Sequence, residues 1–479
     1  MNKSLIRYVS LIVLGVEAIF LLITAAVGAI YRESQFFPYL ICGIIYGVIG
    51  LINTRFKPQK SEFAARDGFF IAGFCWIVLS FFGAIPIYFA KDIPNFVDAL
   101  FEIVSGFTTT GSSCLNNIES LSRCSLFWRS LTHWLGGMGI LVFILAVLPM
   151  GGGYGIHLLK AESTGPAVGK VEAKLSDTAK ILYFLYSGLT VIMIFVLLIA
   201  RVPLFESVTL SFATAGTGGF GIYADSIARY SSVVKIIIAV FALMFGVSFN
   251  IYYLMYIKKF KTIIKSEELK IYLCIVLIST ISIFVNIASL YPNIFDAFVD
   301  SFFQVASIVT STGFATCDFN KWPEFSKTIL VLLMFIGACA GSTGGGLKVS
   351  RVAILVKDAF NNLGHYFAPR RVKQVRFEGK AMDQETISST KSYFLIFAMV
   401  FVVSLLIISL NGYDFTTNFT GILTCINNIG PGLNVVGPAG NFADFTVLSK
   451  FVFMFDMLAG RLEFIPMLAL LNPIIYGKK

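Results

Sequence analysis

Four short segments rich in Thr, Ser, Asn and Gly recur along the chain: GFTTTGSS at 106–113, ATAGTGGFG at 213–221, TSTGF at 310–314 and NNIGPGLN at 427–434. What such residues offer chemically is oxygen. Glycine adopts positive φ and so can turn successive carbonyls toward one axis, while Thr and Ser hydroxyls add acceptors or brace the loop. A bare cation crossing lipid must exchange its hydration shell for such oxygens, and irregular backbone lining a cavity supplies them. Four such segments around one axis would form a selectivity filter. The alternative is that Gly and Thr here merely ease helix packing.

Spacing favours a repeat. With Gly111, Gly219, Gly313 and Gly430 taken as equivalent, the residue thirteen earlier is Asp98, Glu206 and Asp300, while the fourth copy has Thr417. A basic residue follows each glycine, at Arg129, Lys235, Lys327 and Lys450. Before each glycine lies a short helix-like stretch (96–105, 204–214, 293–309 and 414–426) too short to span a bilayer, as expected of re-entrant helices. Their carboxyl ends would aim partial negative charge at an ion path. The acids, near the outer ends, either raise the local cation concentration or act as simple helix caps.

These segments need a membrane scaffold, and composition provides one. The 479 residues are 57% hydrophobic and only 13% charged, against roughly 25% charged in soluble domains. Ten apolar runs can be marked: 8–30, 38–53, 69–90, 126–149, 181–200, 233–256, 271–290, 328–341, 392–410 and 447–471. From the third onward they pair around the four segments. The expectation is an all-α polytopic membrane protein: an N-terminal hairpin (1–67) and four helix/pore-loop/helix repeats in pseudo-fourfold symmetry (68–160, 161–262, 263–360 and 361–479). The net charge of +10 gathers in alternate loops, at Lys57–Arg66, Lys160–Lys174, Lys258–Lys265 and Lys348–Arg376. That placement marks them, and both termini, as cytoplasmic and removes nucleic acid as the reason for the charge. The basic loop from Lys348 to Lys380 would meet anionic lipid or a regulatory subunit.

Two interruptions stand out. GACAGSTGGGLK at 337–348 places five glycines where the eighth run should be near mid-bilayer, and at about 1 kcal/mol per glycine a straight helix is not expected there. A flexible loop beneath the filter is one reading and a packing kink the other, with Lys348 and Arg351 marking the cytoplasmic edge. Arg461 lies deep in the last run, where an ionised side chain costs several kcal/mol unless paired or facing water. It should face the pore and raise the barrier to cations, or else form an ion pair with Glu463 or Asp456. His133 reads as a packed core residue, Lys235 and Lys450 as snorkelling to the outer interface, and the eight cysteines mainly as small hydrophobes in helices, with a disulfide between Cys114 and Cys124, which share one outward loop, as the lesser alternative.

Together TTTG (108–111), HWLGGMGI (133–140), TGGF (217–220), STGF (311–314), NNIGPGL (427–433) and GRLE (460–463) resemble the Trk/Ktr/HKT superfamily of potassium transporters, and the added hairpin resembles its TrkH type. The resemblance implies a potassium-selective path, a homodimer and a cytoplasmic nucleotide-binding regulatory subunit of the TrkA type. It implies no cofactor in this chain beyond potassium as cargo. In relatives, glycine at all four filter positions goes with potassium and serine in the first with sodium; Gly111, Gly219, Gly313 and Gly430 are all present. The oxygen donors would be the carbonyls of Thr109 and Thr110, Thr217 and Gly218, Ser311 and Thr312, and Asn428 and Ile429. The glycine-rich stretch would be an intramembrane gate formed by Gly341, Ser342, Thr343, Gly344, Gly345 and Gly346, with Arg461 as a barrier charge.

Other functions fit less well. An intramembrane enzyme would need a nucleophile with its base or a metal-ligand set, and the chain has neither GxSxG nor HExxH. A transporter of organic solutes would also use broken helices but normally shows two inverted repeats. A sodium-permeable member of the same superfamily stays open as the alternative.

Overall fold

The computed structural model describes residues 3–56, 65–139, 175–367 and 374–471. The chain opens with a hairpin of helices Lys3–Ile30 and Phe36–Asn53. Their crossing is set by glycine, since a β-carbon on Gly50 would stand 2.6 Å from the α-carbon of Gly15. With no side chain at either position the two backbones touch, the usual device for close packing in lipid.

Four units follow, each with a long first helix, a short pore helix, an irregular segment and a second helix. The first helices are Ala65–Phe89, Leu175–Ile199, Glu267–Ile287 and Gln384–Ile408. With the hairpin they account for the six helices among the described residues that are long and apolar enough to cross a membrane. The pore helices are Phe96–Phe107, Leu204–Ala215, Ile294–Val309 and Phe415–Ile426. Three start on a side-chain cap: Asn95, Asn293 and Asp414 accept from the backbone N–H of Val97, Phe295 and Thr417.

The second helices depart from the expected continuous spans. Three break partway, after Phe245, Ile336 and Arg461, and the first unit's described helix ends at Gly137. In the second unit, Ser232–Phe245 and Phe249–Tyr256 are bent 86° apart. In the third, residues 337–348 separate Glu324–Ile336 from Val349–Phe367. In the fourth, three residues separate Val447–Arg461 from Ile465–Leu471. The inner part of the first unit's second run (140–149) lies outside the described residues. Glycine marks each of these points, at 136–137, 246, 337 and 460. Only the third is dense enough in glycine to be read as a break from hydropathy.

Two smaller expectations are corrected, and one open pairing is closed. The third pore helix has the expected bounds, but it is about one turn longer than the others, so Asp300 sits in its second turn rather than at its outer end, buried, accepting from Tyr291 Oη at 3.0 Å. The acid in its first turn is Asp296, and the fourth unit's acid is the cap Asp414. A fixed offset therefore hid an acid that opens all four pore helices. Cys114 and Cys124 are free thiols that donate to different backbone carbonyls, of Asp98 and Thr24. Lys450 does not snorkel: it is buried and pairs with Asp98 at 2.7 Å.

Candidate ion pathway

Each pore helix ends the same way. After the C-caps Thr108, Gly216, Thr310 and Asn427, the next residue is left-handed: Thr109 (φ 55°), Thr217 (54°), Ser311 (58°) and Asn428 (54°). Two residues on, Gly111, Gly219, Gly313 and Gly430 are again at positive φ, 75–100°. Positive φ at two threonines is uncommon and persists only where surroundings hold it. The holding contacts repeat: the N–H groups of Thr110, Gly218, Thr312 and Ile429 bond back to Ser105, Ala213, Ser307 and Thr424 carbonyls at 2.8–2.9 Å. With the N–H groups engaged by the pore helix behind them, the carbonyls are left for the opposite side.

The four segments close on one another as a ring. A β-carbon on Gly111 would overlap Gly218 O, one on Gly219 would overlap Thr312 O, and one on Gly313 would overlap Ile429 O. On Gly430 it would stand 2.9 Å from Thr110 O, which returns to the first segment. Each glycine thus abuts the carbonyl that immediately precedes the glycine of the next unit. The cycle runs one, two, three, four, one, and Thr109–Gly111, Thr217–Gly219, Ser311–Gly313 and Asn428–Gly430 are brought together by it.

Behind the ring lie buried polar braces. Arg129 bonds Glu102 at 2.8 Å through Nε and packs over the Phe220 ring at 4.0 Å, tying the first unit to the second. Glu102 in turn accepts from Ser113 Oγ and the Cys114 N–H, just outside Gly111. His133 accepts from the Phe220 N–H through Nε2 at 3.2 Å, so its Nδ1 carries the proton donated to Gly106 O at 2.8 Å. A ring used at both nitrogens in this way is a neutral structural brace.

Below the ring, the 337–348 loop presses against the C-caps of the third and fourth pore helices. A β-carbon on Gly344 would stand 2.8 Å from Thr310 O, one on Gly345 would overlap Asn427 O, and the Gly345 N–H donates to Ser311 Oγ at 2.5 Å. Gly341 accepts from the Phe249 N–H through its carbonyl at 2.9 Å, and Ser342 Oγ donates to Cys339 O. The loop turns at Gly337, Gly341 and Gly346, all at positive φ.

Arg461 reaches across this level from the fourth unit. Its guanidinium donates to Thr343 O at 2.8 Å and to Gly136 O and Gly137 O at 2.6 and 2.5 Å. One buried cation therefore joins the third unit's loop to the end of the first unit's second helix. The two acids weighed as its partners are engaged elsewhere as well: Glu463 with Arg351 at 3.1 Å, and Asp456 with Ser404 Oγ at 2.8 Å. Lys348 and Arg351 are both buried rather than at an exposed edge; Lys348 folds back onto Gly344 O, and Arg351 packs over Tyr393 at 3.9 Å.

Sequence reasoning missed Glu268. Its Oε1 accepts from the N–H groups of Ala340 and Ser350, at 2.8 and 3.1 Å, on opposite sides of the glycine-rich stretch. It closes the loop's neck. Glu268 stands at the start of a helix whose first turn is capped from the basic loop: Glu378, in the turn of a short hairpin (Arg376–Phe377 with Lys380–Ala381), accepts from Ser266 Oγ and from the Glu268 N–H. Nothing local in the sequence signals either contact, since they join residues some 70 to 110 positions apart.

Comparison with known proteins matches this architecture over nearly its whole length. The TrkH family, described as cation transport proteins, matches residues 35–474. The Trk system potassium uptake protein TrkH of Salmonella typhimurium is 34% identical over 99% of both chains, and TrkG of Escherichia coli K12 is 33% identical over 93% of both. The crystal structure of the potassium transporter TrkH from Vibrio parahaemolyticus superposes with a TM-score of 0.88 at 30% identity, covering 99% of each chain. The chain is a multi-span member of the TrkH family of cation transport proteins.

Proposed function

We propose that this chain carries potassium into the cell across the cytoplasmic membrane, through a filter formed by the carbonyls of Thr109, Thr110, Thr217, Gly218, Ser311, Thr312, Asn428 and Ile429. The observation that carries this reading is the cyclic contact of Gly111, Gly219, Gly313 and Gly430 with the preceding carbonyl of the next unit. Such a ring offers oxygens in equivalent positions with their N–H groups already engaged, which is what a dehydrated alkali ion requires. The four glycines, together with relatives named as potassium uptake proteins and a potassium transporter, favour potassium over sodium.

The 341–346 stretch acts as the gate and Arg461 as the charge that holds it shut. Support comes from the loop's place against the C-caps below the ring and from a guanidinium fixed at the same level. A cation near that guanidinium meets repulsion in a low-dielectric setting, where charges interact far more strongly than in water. A cytoplasmic nucleotide-binding subunit of the TrkA type opens the gate, two copies of the chain pair as a homodimer, and both termini face the cytoplasm.

Rescue of a potassium-uptake-deficient bacterium on low potassium, with a matching regulatory subunit supplied, tests the reading. Growth is expected with the native chain and is reduced or sodium-sensitive with Gly313→Ser. A native chain that reaches the membrane and supports no growth would sink it.

A further inference from the structure

The ring has one seam. Three junctions are so close that a β-carbon on the glycine would overlap the next unit's carbonyl, whereas at Gly430 it would stand 2.9 Å from Thr110 O. The junction of the fourth unit with the first is the loosest by backbone contact. It is also where a side chain crosses within the filter: Asn428 Nδ2 donates to Thr110 Oγ1 at 3.0 Å. Its second amide proton goes to Met457 O at 2.9 Å, on the fourth unit's second helix. Ser112 Oγ adds a bond to Gly430 O at 3.2 Å.

Donor accounting fixes the direction of the crossing bond. Thr108 Oγ1 spends its proton on Val104 O at 2.7 Å, so the Thr110 hydroxyl must donate to Thr108 Oγ1, also at 2.7 Å. Thr110 Oγ1 is left as an acceptor only, and an amide N–H is the group that satisfies it. The equivalents of Asn428 do not cross. Thr217 Oγ1 and Ser311 Oγ donate to the carbonyls of their own preceding residues, and Thr109 Oγ1 makes no hydrogen bond among the described residues.

We propose that the Asn428 side chain is a positioning residue that keys the seam between the fourth and first units, and so sets how strictly the ring rejects sodium. This rests on the filter reading above. A carbonyl ring discriminates against a smaller ion only as far as its oxygens are kept from closing around it. Backbone contact restrains three arms of the ring, and a side-chain amide bound at both protons restrains the fourth. Loosening that arm lets its carbonyls follow the smaller ion, so discrimination suffers more than throughput.

The test uses the full chain with its matching regulatory subunit in proteoliposomes, with flux measured under potassium and under sodium gradients. Asn428→Ser removes both amide bonds and installs the residue type found at Ser311; Thr110→Val removes the acceptor at nearly constant volume. Each is expected to lower the potassium-to-sodium ratio about five- to tenfold, the scale of one or two hydrogen bonds, whatever the change in total flux. The double variant should lose no more than either single one. Unchanged ratios in both single variants, or losses that multiply in the double, overturn the proposal. If Asn428→Ser does not yield monodisperse protein, Thr110→Val decides alone. A native chain without potassium-selective flux would instead overturn the underlying filter reading.

Discussion

At the pore-helix ends the four units are nearly copies; beyond them the three units whose second runs are described take three different forms. Every pore helix ends in the same sequence of left-handed residue and glycine, and the N–H just before each glycine bonds back to the same place on its own helix. The three second helices described on both sides then break differently, with an 86° bend in one unit, a twelve-residue loop in another and a three-residue jog in a third. The two halves answer different demands. A spherical ion needs equivalent oxygens from all sides, so departure by one unit weakens the whole ring. A gate of the kind proposed needs a part that moves against parts that do not, and one long loop against the two shorter breaks among the described residues would supply that difference.

The sharpest way to break this comparison is to place one methyl group in each kind of environment. Gly219→Ala puts a β-carbon where Thr312 O already stands, at a φ of 75° that alanine disfavours. The ring must open to accept it, and rubidium uptake should fall by on the order of 100-fold or more, as expected when geometry at a binding site shifts by about an ångström. Gly188→Ala, in the first helix of the same unit, meets nothing within 4 Å. Uptake there should stay at the native level, with stability changed by less than about 0.5 kcal/mol. Equal effects at the two positions would remove the basis for treating the glycines of the upper half as a constrained ring.

The upper half was also the legible half. Its constraint is local, since each filter segment is short and its second left-handed position is glycine in all four copies, so the repeat shows in the sequence. The membrane architecture was legible for the same reason, in the length and spacing of apolar runs. What the sequence hid was long-range or diluted. The breaks in the second and fourth units each carry a single glycine, Gly246 and Gly460, and hydropathy runs straight through them. Asp296 was obscured because the third pore helix has one extra turn, which displaces the acid from a fixed offset. Glu102, Glu268 and the Asn428 amide act through partners far along the chain, where no spacing rule applies. Arg461 was legible as an anomaly because lipid makes any deep charge conspicuous, but its three carbonyl partners were not.

Below the ring, the comparison sharpens by separating what blocks from what fastens. Arg461→Gln removes the charge and weakens the link between Thr343 and the first unit. In proteoliposomes without a regulatory subunit, potassium flux should rise about tenfold, corresponding to about 1.4 kcal/mol off the barrier. Deletion of 341–346 should raise it at least as much. Flux that stays at the native level or falls in both would mean that the loop does not gate.

Glu268 should have a smaller effect of the same sign, because it grips the loop's neck without crossing the axis. Glu268→Ala frees the N–H groups of Ala340 and Ser350, which a neighbouring carboxylate now holds together. Bonds to a charged acceptor are each worth roughly 1.5–3 kcal/mol, but Glu268 is only partly buried, and water can replace part of that. Partner-free flux is therefore expected to rise only a few-fold. The discriminating measurement is the combination with the regulatory subunit. If the hairpin that carries Glu378 transmits the subunit's pull through the helix start at Ser266–Glu268, then Glu268→Ala should blunt the subunit's stimulation while raising the basal rate. A variant that raises the basal rate and keeps full stimulation would show that the neck contact only steadies the loop, and that the pull reaches it through the helix after Lys348 instead.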